Sequence, residues 1–229
     1  MALFDAIAGS YDDWYRTPLG AYADRVEKEI VLDLAAPSSG ETAVDLGCGT
    51  GQYALALAAR GLRVTGVDIS ARMLDRARAR AEETGLAVRW VEADVREVPL
   101  PSAAFDLATM VTVLEFVPEP ERAVAEALRL LRPGGRLVAA VLGEGSGWAR
   151  LYREEAERAP DSVFAHARFF TADGLARLLG IAPSEVRKGL FLDPAEAAGA
   201  PPEAWPRLDA AARARGAAPG FLAALRRKE

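Results

Sequence analysis

The stretch VDLGCGTGQY, residues 44–53, places an acid, Asp45, at the end of an apolar run and follows it with Gly47, Gly49 and Gly51. Glycines in such a turn allow unusual dihedrals and let a ligand come close to the main chain. A pyrophosphate-binding turn has the form G-x-G-x-x-G at a helix N-terminus. Counted from Gly47, the last glycine of that form falls on Gln52, and Asp45 adds negative charge beside the turn. The pattern present is G-x-G-x-G behind a carboxylate, which suits a cationic ligand better than a diphosphate. Asp68 lies about twenty residues past the turn, where a carboxylate can accept both hydroxyl protons of a ribose. That feature is shared by dinucleotide sites and does not separate the two ligand classes.

Chemistry that needs thiols or imidazoles is poorly supplied. Cys48 is the single cysteine and His166 the single histidine, so no intrachain disulfide forms. Zinc sites and Ser-His or Cys-His catalysis are disfavoured, and no metal site is expected. Cys48 reads as a small buried filler within the turn. The 229 residues are 51% apolar with a net charge of −5. That is enough for a core, and the acidic balance argues against broad nucleic-acid binding. No apolar run approaches the ~20 residues of a membrane span. The opening residues MALFDAIAGSYDD carry early acids and no basic run, so a cytoplasmic location is expected.

The elements that must position these residues alternate. A helix is expected over 21–36, with Val26, Ile30, Val31 and Leu34 on one face. A buried strand follows at 42–47, then a helix at 53–60 ended by Gly61. A second strand spans 62–68. Ser70 caps a helix that turns Met73, Leu74, Ala77 and Ala81 inward and closes at Gly85. Further strands are predicted at 87–94, 105–111 and 136–142, with a helix at 120–132 stopped by Pro133-Gly134-Gly135. Such alternation implies βαβ units in a doubly wound, mostly parallel α/β fold. Residues 144–170 show no clean period. Thr171 caps a helix to Leu179, 185–192 looks like a strand, and one helix is expected between 193 and 219. Residues 220–228 favour helix by intrinsic propensity.

Taken together, Val44 to Leu142 resembles the class I S-adenosylmethionine-dependent methyltransferases, especially the small-molecule group that includes the ubiquinone/menaquinone type. The resemblance rests on VDLGCGTG, GVDIS, EADV and FDLATMVTVLEFVPEPERAVAEALRLLRPGGRL, in order and at family spacing. It implies a Rossmann-like seven-stranded sheet with helices on both faces and the last strand antiparallel, which turns 220–228 into a strand. It implies one methyltransferase domain over 1–229: a helical cap at 1–40, a cofactor-binding core at 41–143, a substrate cover at 144–170, and a C-terminal helix with the last strands at 171–229.

The resemblance also implies site roles. Asp45 with Gly47, Cys48, Gly49 and Gly51 forms the cofactor turn, and Asp68 holds the ribose. Asp94 and the Val95 amide face adenine, with Ile69 and Met73 flanking the ring. The Gly47 carbonyl and Val111 receive the methionine ammonium. Residues 4–15 form a covering helix that brings the Tyr11 hydroxyl near the cofactor carboxylate, with Tyr15 a weaker candidate. S-adenosyl-L-methionine is then the cofactor, S-adenosyl-L-homocysteine the product, and a small molecule the acceptor.

Bland readings stand beside these. Asp45 alone could cap its turn, and Asp94 could simply end its strand. Glu115 is a candidate substrate-facing base or merely a helix-start carboxylate. His166 reads as surface or packing. The aromatics between Trp148 and Phe170 could be cover or core, and Arg150, Arg153 and Arg168 would suit an anionic acceptor. Two rival functions remain: a non-catalytic S-adenosylmethionine-binding protein, and an NAD-type oxidoreductase weakened by Gln52 and Asp45.

Overall fold

The computed structural model describes residues 2–159 and 161–229. Met1 and Pro160, which fall in the expected cap and cover, lie outside the described residues. Ahead of the sheet come a single turn of helix, α1 (Asp13–Arg16), and the longer α2 (Pro18–Ala35), whose cap Thr17 accepts the Gly20 amide. Strands β1 (Thr42–Leu46), β2 (Arg63–Asp68), β3 (Val88–Glu92), β4 (Phe105–Val111) and β5 (Leu131–Leu142) then alternate with helices. Those helices are α3 (Gln52–Ala58), α4 (Ala71–Thr84) and α5 (Pro120–Leu130). The last third adds α6 (Gly147–Arg158), α7 (Ala172–Leu179), β6 (Arg187–Gly189), α8 (Pro194–Ala198), α9 (Trp205–Ala214) and β7 (Phe221–Arg227).

Among the described residues the strands form one seven-stranded sheet in the order β3-β2-β1-β4-β5-β7-β6. The first five are parallel and β7 runs antiparallel to both β5 and β6. Chain order reverses between β1 and β4, the switch point where doubly wound sheets open a crevice at their carboxyl ends. Alternate residues of each strand enter opposite cores, as the two-residue period requires. Val44, Leu46, Ala108 and Met110 pack with α5 and α7 on one face, whereas Ala43, Leu107 and Val138 pack with α2, α3 and α9 on the other. Burying one such Leu or Met side chain fully is worth roughly 1.5–3 kcal/mol. That term holds the strand ends, and so the site, in place.

Helix α4 matches expectation residue for residue: Ser70 accepts the Met73 amide, Gly85 adopts a left-handed conformation, and Met73, Leu74, Ala77 and Ala81 are the buried positions. β7 is a strand despite its helical propensity, because Phe221 to Ala224 are buried between β5 and β6.

Other expectations need correction. Residues 4–15 are not one helix. Amides of Asp5, Ile7, Ser10 and Asp13 each donate to the carbonyl three residues back, giving successive tight turns before α1. Pro133-Gly134-Gly135 does not lie outside the sheet. β5 starts at Leu131, and a register shift opposite Phe105 and Leu107 absorbs those residues, whose amide and carbonyl groups pair with Lys228. The aperiodic segment contains α6, capped by Ser146 and burying Trp148 and Ala149. β6 is only three residues long because Leu190 turns left-handed (φ 55°) and directs 190–192 into the core. Two helices, α8 and α9, occupy the span where one was expected.

Candidate active site

A cleft opens at the carboxyl ends of β1, β2 and β4, roofed by the N-terminal turns. Its floor is the glycine turn. Gly47 has φ +73°, and a Cβ added there would stand 2.3 Å from Val113 Cγ2. Gly51 also has positive φ and begins α3, but it faces Trp90 and Ala77 behind the turn and does not line the cleft. The other expected cofactor residues, namely Tyr11, Asp45, Gly47, Cys48, Gly49, Asp68, Ile69, Met73, Asp94, Val95 and Val111, all line it.

Asp68, at the end of β2, is held at both oxygens. One accepts the Gly49 amide at 2.8 Å across the glycine turn, and the other accepts the Ser70 amide at 2.9 Å. These bonds aim the carboxylate and leave lone pairs for further donors. Burial raises its pKa against the pull of those amides. Asp45 is buried to 2% exposure; Thr109 Oγ1 donates to its Oδ1 at 2.7 Å, while Oδ2 has no partner among the described residues. Burial pushes its pKa up to about 6. A buried carboxylate oxygen without a donor is rare. Asp45 lines the cleft, where an ammonium would satisfy that oxygen.

Asp94 is engaged differently. The Arg96 side chain grips both its oxygens, at 3.0 and 2.7 Å, and holds its pKa below the usual carboxylate range. The Cys48 thiol is buried and its pKa raised by that burial, so it stays protonated and fills space against Gly66. Ile69 is 57% exposed on the rim while Met73 is buried beneath. An exposed isoleucine facing a cleft offers apolar surface to a planar base.

Glu115 does not line the cleft. It is 2% exposed, its Oε1 accepts the Leu142 amide at 2.6 Å, and burial raises its pKa to about 8. It ties the segment after β4 to the end of β5. His166 is exposed on a 3₁₀ turn away from the cleft. Arg150 pairs with Asp193 at 2.6 Å, Arg153 stacks over Phe169, and neither they nor Arg168 line a cavity at the site.

Several site residues carry no sequence signal of their own. Thr112 follows β4 with φ +49°, a strained conformation for a non-glycine residue, and lines the cleft. Phe4 and Phe116 meet edge to face at a centroid distance of 4.9 Å over it. The N-terminal turns are fastened down by two acids: Ser70 Oγ donates to Asp5 at 2.6 Å, and Thr50 Oγ1 donates to Asp12 at 2.7 Å. The DD pair after Tyr11 was the available signal, though its partners are distant in sequence.

Strand order, glycine turn and strand-end acids together define the fold of S-adenosylmethionine-dependent methyltransferases. Comparison with known proteins agrees: residues 44–139 match the family described as "Methyltransferase domain". The chain is 40% identical over 138 residues to the demethylmenaquinone methyltransferase of Thermus thermophilus, covering 59% of this chain and 62% of that one. It is 36% identical over 143 residues to a malonyl-[acyl-carrier protein] O-methyltransferase of Serratia marcescens, covering 62% and 52%. The chain therefore spans only half to three fifths of these curated relatives. Over nearly its whole length it superposes on a Thermotoga maritima S-adenosylmethionine-dependent methyltransferase, described as a possible histamine N-methyltransferase. That match has a TM-score of 0.72, 25% identity, and coverage of 99% and 98%. No helix among the described residues is long and apolar enough to cross a membrane.

Proposed function

We propose that the chain is an S-adenosylmethionine-dependent methyltransferase that moves a methyl group to a small-molecule acceptor by in-line displacement. One observation carries this reading beyond cofactor binding. The cleft adjoins a second, largely aromatic cavity, and Tyr11, Tyr15, Thr112 and Phe116 line both. A protein that only held the nucleoside would have no need of the second chamber.

The residues present fit S-adenosylmethionine. Asp68 takes the ribose hydroxyls, Ile69 and Met73 flank adenine, and the Val95 amide with Asp94 meets its edge. The unpartnered oxygen of Asp45 and the Gly47 carbonyl suit the ammonium beside Val111, and Tyr11 lies toward the carboxylate. Bound there, S-adenosylmethionine supplies a methyl group already activated by its sulfonium. What remains for the protein is alignment and exclusion of water. The N-terminal turns and the Phe4–Phe116 pair close the top, so we assign 1–40 as the cap, 41–143 as the cofactor core and 144–170 as part of the acceptor cover within one domain.

Incubation with methyl-labelled S-adenosylmethionine and pooled small metabolites tests the proposal. Label should pass to a low-molecular-weight product with S-adenosylhomocysteine formed in equal amount. Tight S-adenosylmethionine binding with no transfer to any pool would favour the non-catalytic reading.

A further inference from the structure

The second cavity carries a chemical signature of its own. Its walls are the aromatic rings of Trp14, Tyr15, Tyr152 and Phe164, with Tyr152 stacked on Phe164 at a centroid distance of 4.1 Å. Three acids, Asp24, Glu27 and Glu155, also line it, and the lining includes no Lys or Arg. Two of the acids are already occupied. Lys28 Nζ donates to Asp24 at 2.8 Å, and Ser162 donates to Glu155 at 2.9 Å on the exposed rim. Glu27, half-buried on α2, has neither a hydrogen bond nor an ion pair among the described residues. A carboxylate left unpaired among aromatic faces lacks a cation, and those faces attract the same kind of partner.

Resting on the methyltransferase reading above, we infer that the acceptor is an amine with a flat or apolar body, held with its ammonium against Glu27 and its body between Trp14, Tyr15 and Tyr152. Glu27 then takes one N–H proton from the ammonium. The freed nitrogen lone pair forms the new N–C bond while the methyl–sulfur bond breaks and its electron pair stays on sulfur. The products are a methylated ammonium, a neutral thioether and one proton on Glu27, which passes to water.

The groups around Glu27 suit that exchange. Asp24 and Lys28 flank it on α2, with Lys28 also bonded to Gln52; Glu115 approaches from the segment after β4. Tyr11 faces it from the N-terminal turns, Tyr15 from α1, Tyr53 from α3, and Tyr152 and Glu155 from α6. Burial first, then the charges of Asp24 and Glu115, raise its pKa to about 8 against the opposite pull of Lys28. Burial thus favours the protonated form of Glu27, and docking an ammonium favours the ionised form with release of protons.

Titration calorimetry on the protein saturated with S-adenosylhomocysteine tests this with 2-phenylethylamine, 2-phenylethanol and 3-phenylpropanoate as probes. The amine should bind at least about tenfold tighter than the alcohol or the acid. Buffers of different ionisation enthalpy should show proton release with the amine only. In Glu27→Gln the amine preference and the proton release should both vanish, while S-adenosylhomocysteine affinity is unchanged and shows the variant to be folded. Equal or stronger binding of the alcohol or acid by the wild type would overturn the amine assignment, as would an amine preference kept in Glu27→Gln. Failure of S-adenosylhomocysteine itself to bind would instead defeat the underlying methyltransferase reading.

Discussion

The Asp68 carboxylate accepts the Gly49 amide at 2.8 Å, locking the end of β2 to the middle of the glycine turn after β1. The bond gives the turn its shape and leaves the acid pointing into the cleft. Replacing Asp68 by Ala should weaken S-adenosylhomocysteine binding at least about tenfold, since charge-assisted hydrogen bonds are worth roughly 1.5–3 kcal/mol. Calorimetric titration of variant and wild type measures it, and unchanged affinity would contradict the ribose assignment.

Gly47 has no room for a side chain. A Cβ there would lie 2.3 Å from Val113 Cγ2, and its φ of +73° disfavours any L-residue. Gly47→Ala should destabilise the protein by about 1–3 kcal/mol in urea unfolding. Adding Val113→Ala should restore only part of the loss, because it removes the Cγ2 contact while Val113 Cβ would still lie 2.7 Å from the new Cβ and the backbone strain stays. Full restoration would show that φ carries no cost.

With S-adenosylmethionine bound as proposed, Asp45 should make cofactor affinity depend on pH. Burial raises its pKa to about 6, so its charge is lost as the pH falls through that value. An ammonium needs the ionised form, and affinity should drop by up to about tenfold per pH unit below 6. Titrations at pH 5 and 7.5 should show the drop in the wild type, and Asp45→Asn should flatten the profile.

Glu115 and Glu27 act on stability in the opposite direction from paired carboxylates. Their folded pKa values, about 8, lie above the ordinary 4.5. The stability they lend is full below pH 4.5 and is lost as the pH rises to about 8. Glu41 and Asp94, whose pKa values are lowered by Arg136 and Arg96, act only below that window. The wild type should therefore be less stable at pH 8 than at pH 5. Glu115→Gln should shrink that difference by at least about 1.4 kcal/mol, one pKa unit. Denaturant unfolding at the two pH values measures it.

Much of the cofactor half could be read in advance because its signals are local. Ser70 and Gly85 bound α4 by backbone capping, and the resemblance picks out the acids Asp45, Asp68 and Asp94 near the strand ends. What escaped depends on contacts between distant segments. The N-terminal turns take their path from Asp5 meeting Ser70 and Asp12 meeting Thr50. β5 extends back to Leu131 because the far end of the chain pairs with Gly134 and Gly135. Nothing in the sequence singles out Glu27, and only the packing of α2 beside Tyr15 and Tyr152 encloses it. Glu115 shows the reverse: its position after β4 suggested a substrate-facing base, yet its carboxylate turns inward to the Leu142 amide.

The most direct measurement is a parallel calorimetric titration with S-adenosylmethionine, S-adenosylhomocysteine and NAD. Both adenosyl amino acids should bind at one site per chain, with NAD showing no heat of binding. Saturable binding of NAD, or silence from both sulfur nucleosides, would mean that the carboxylate-backed glycine turn serves a different ligand.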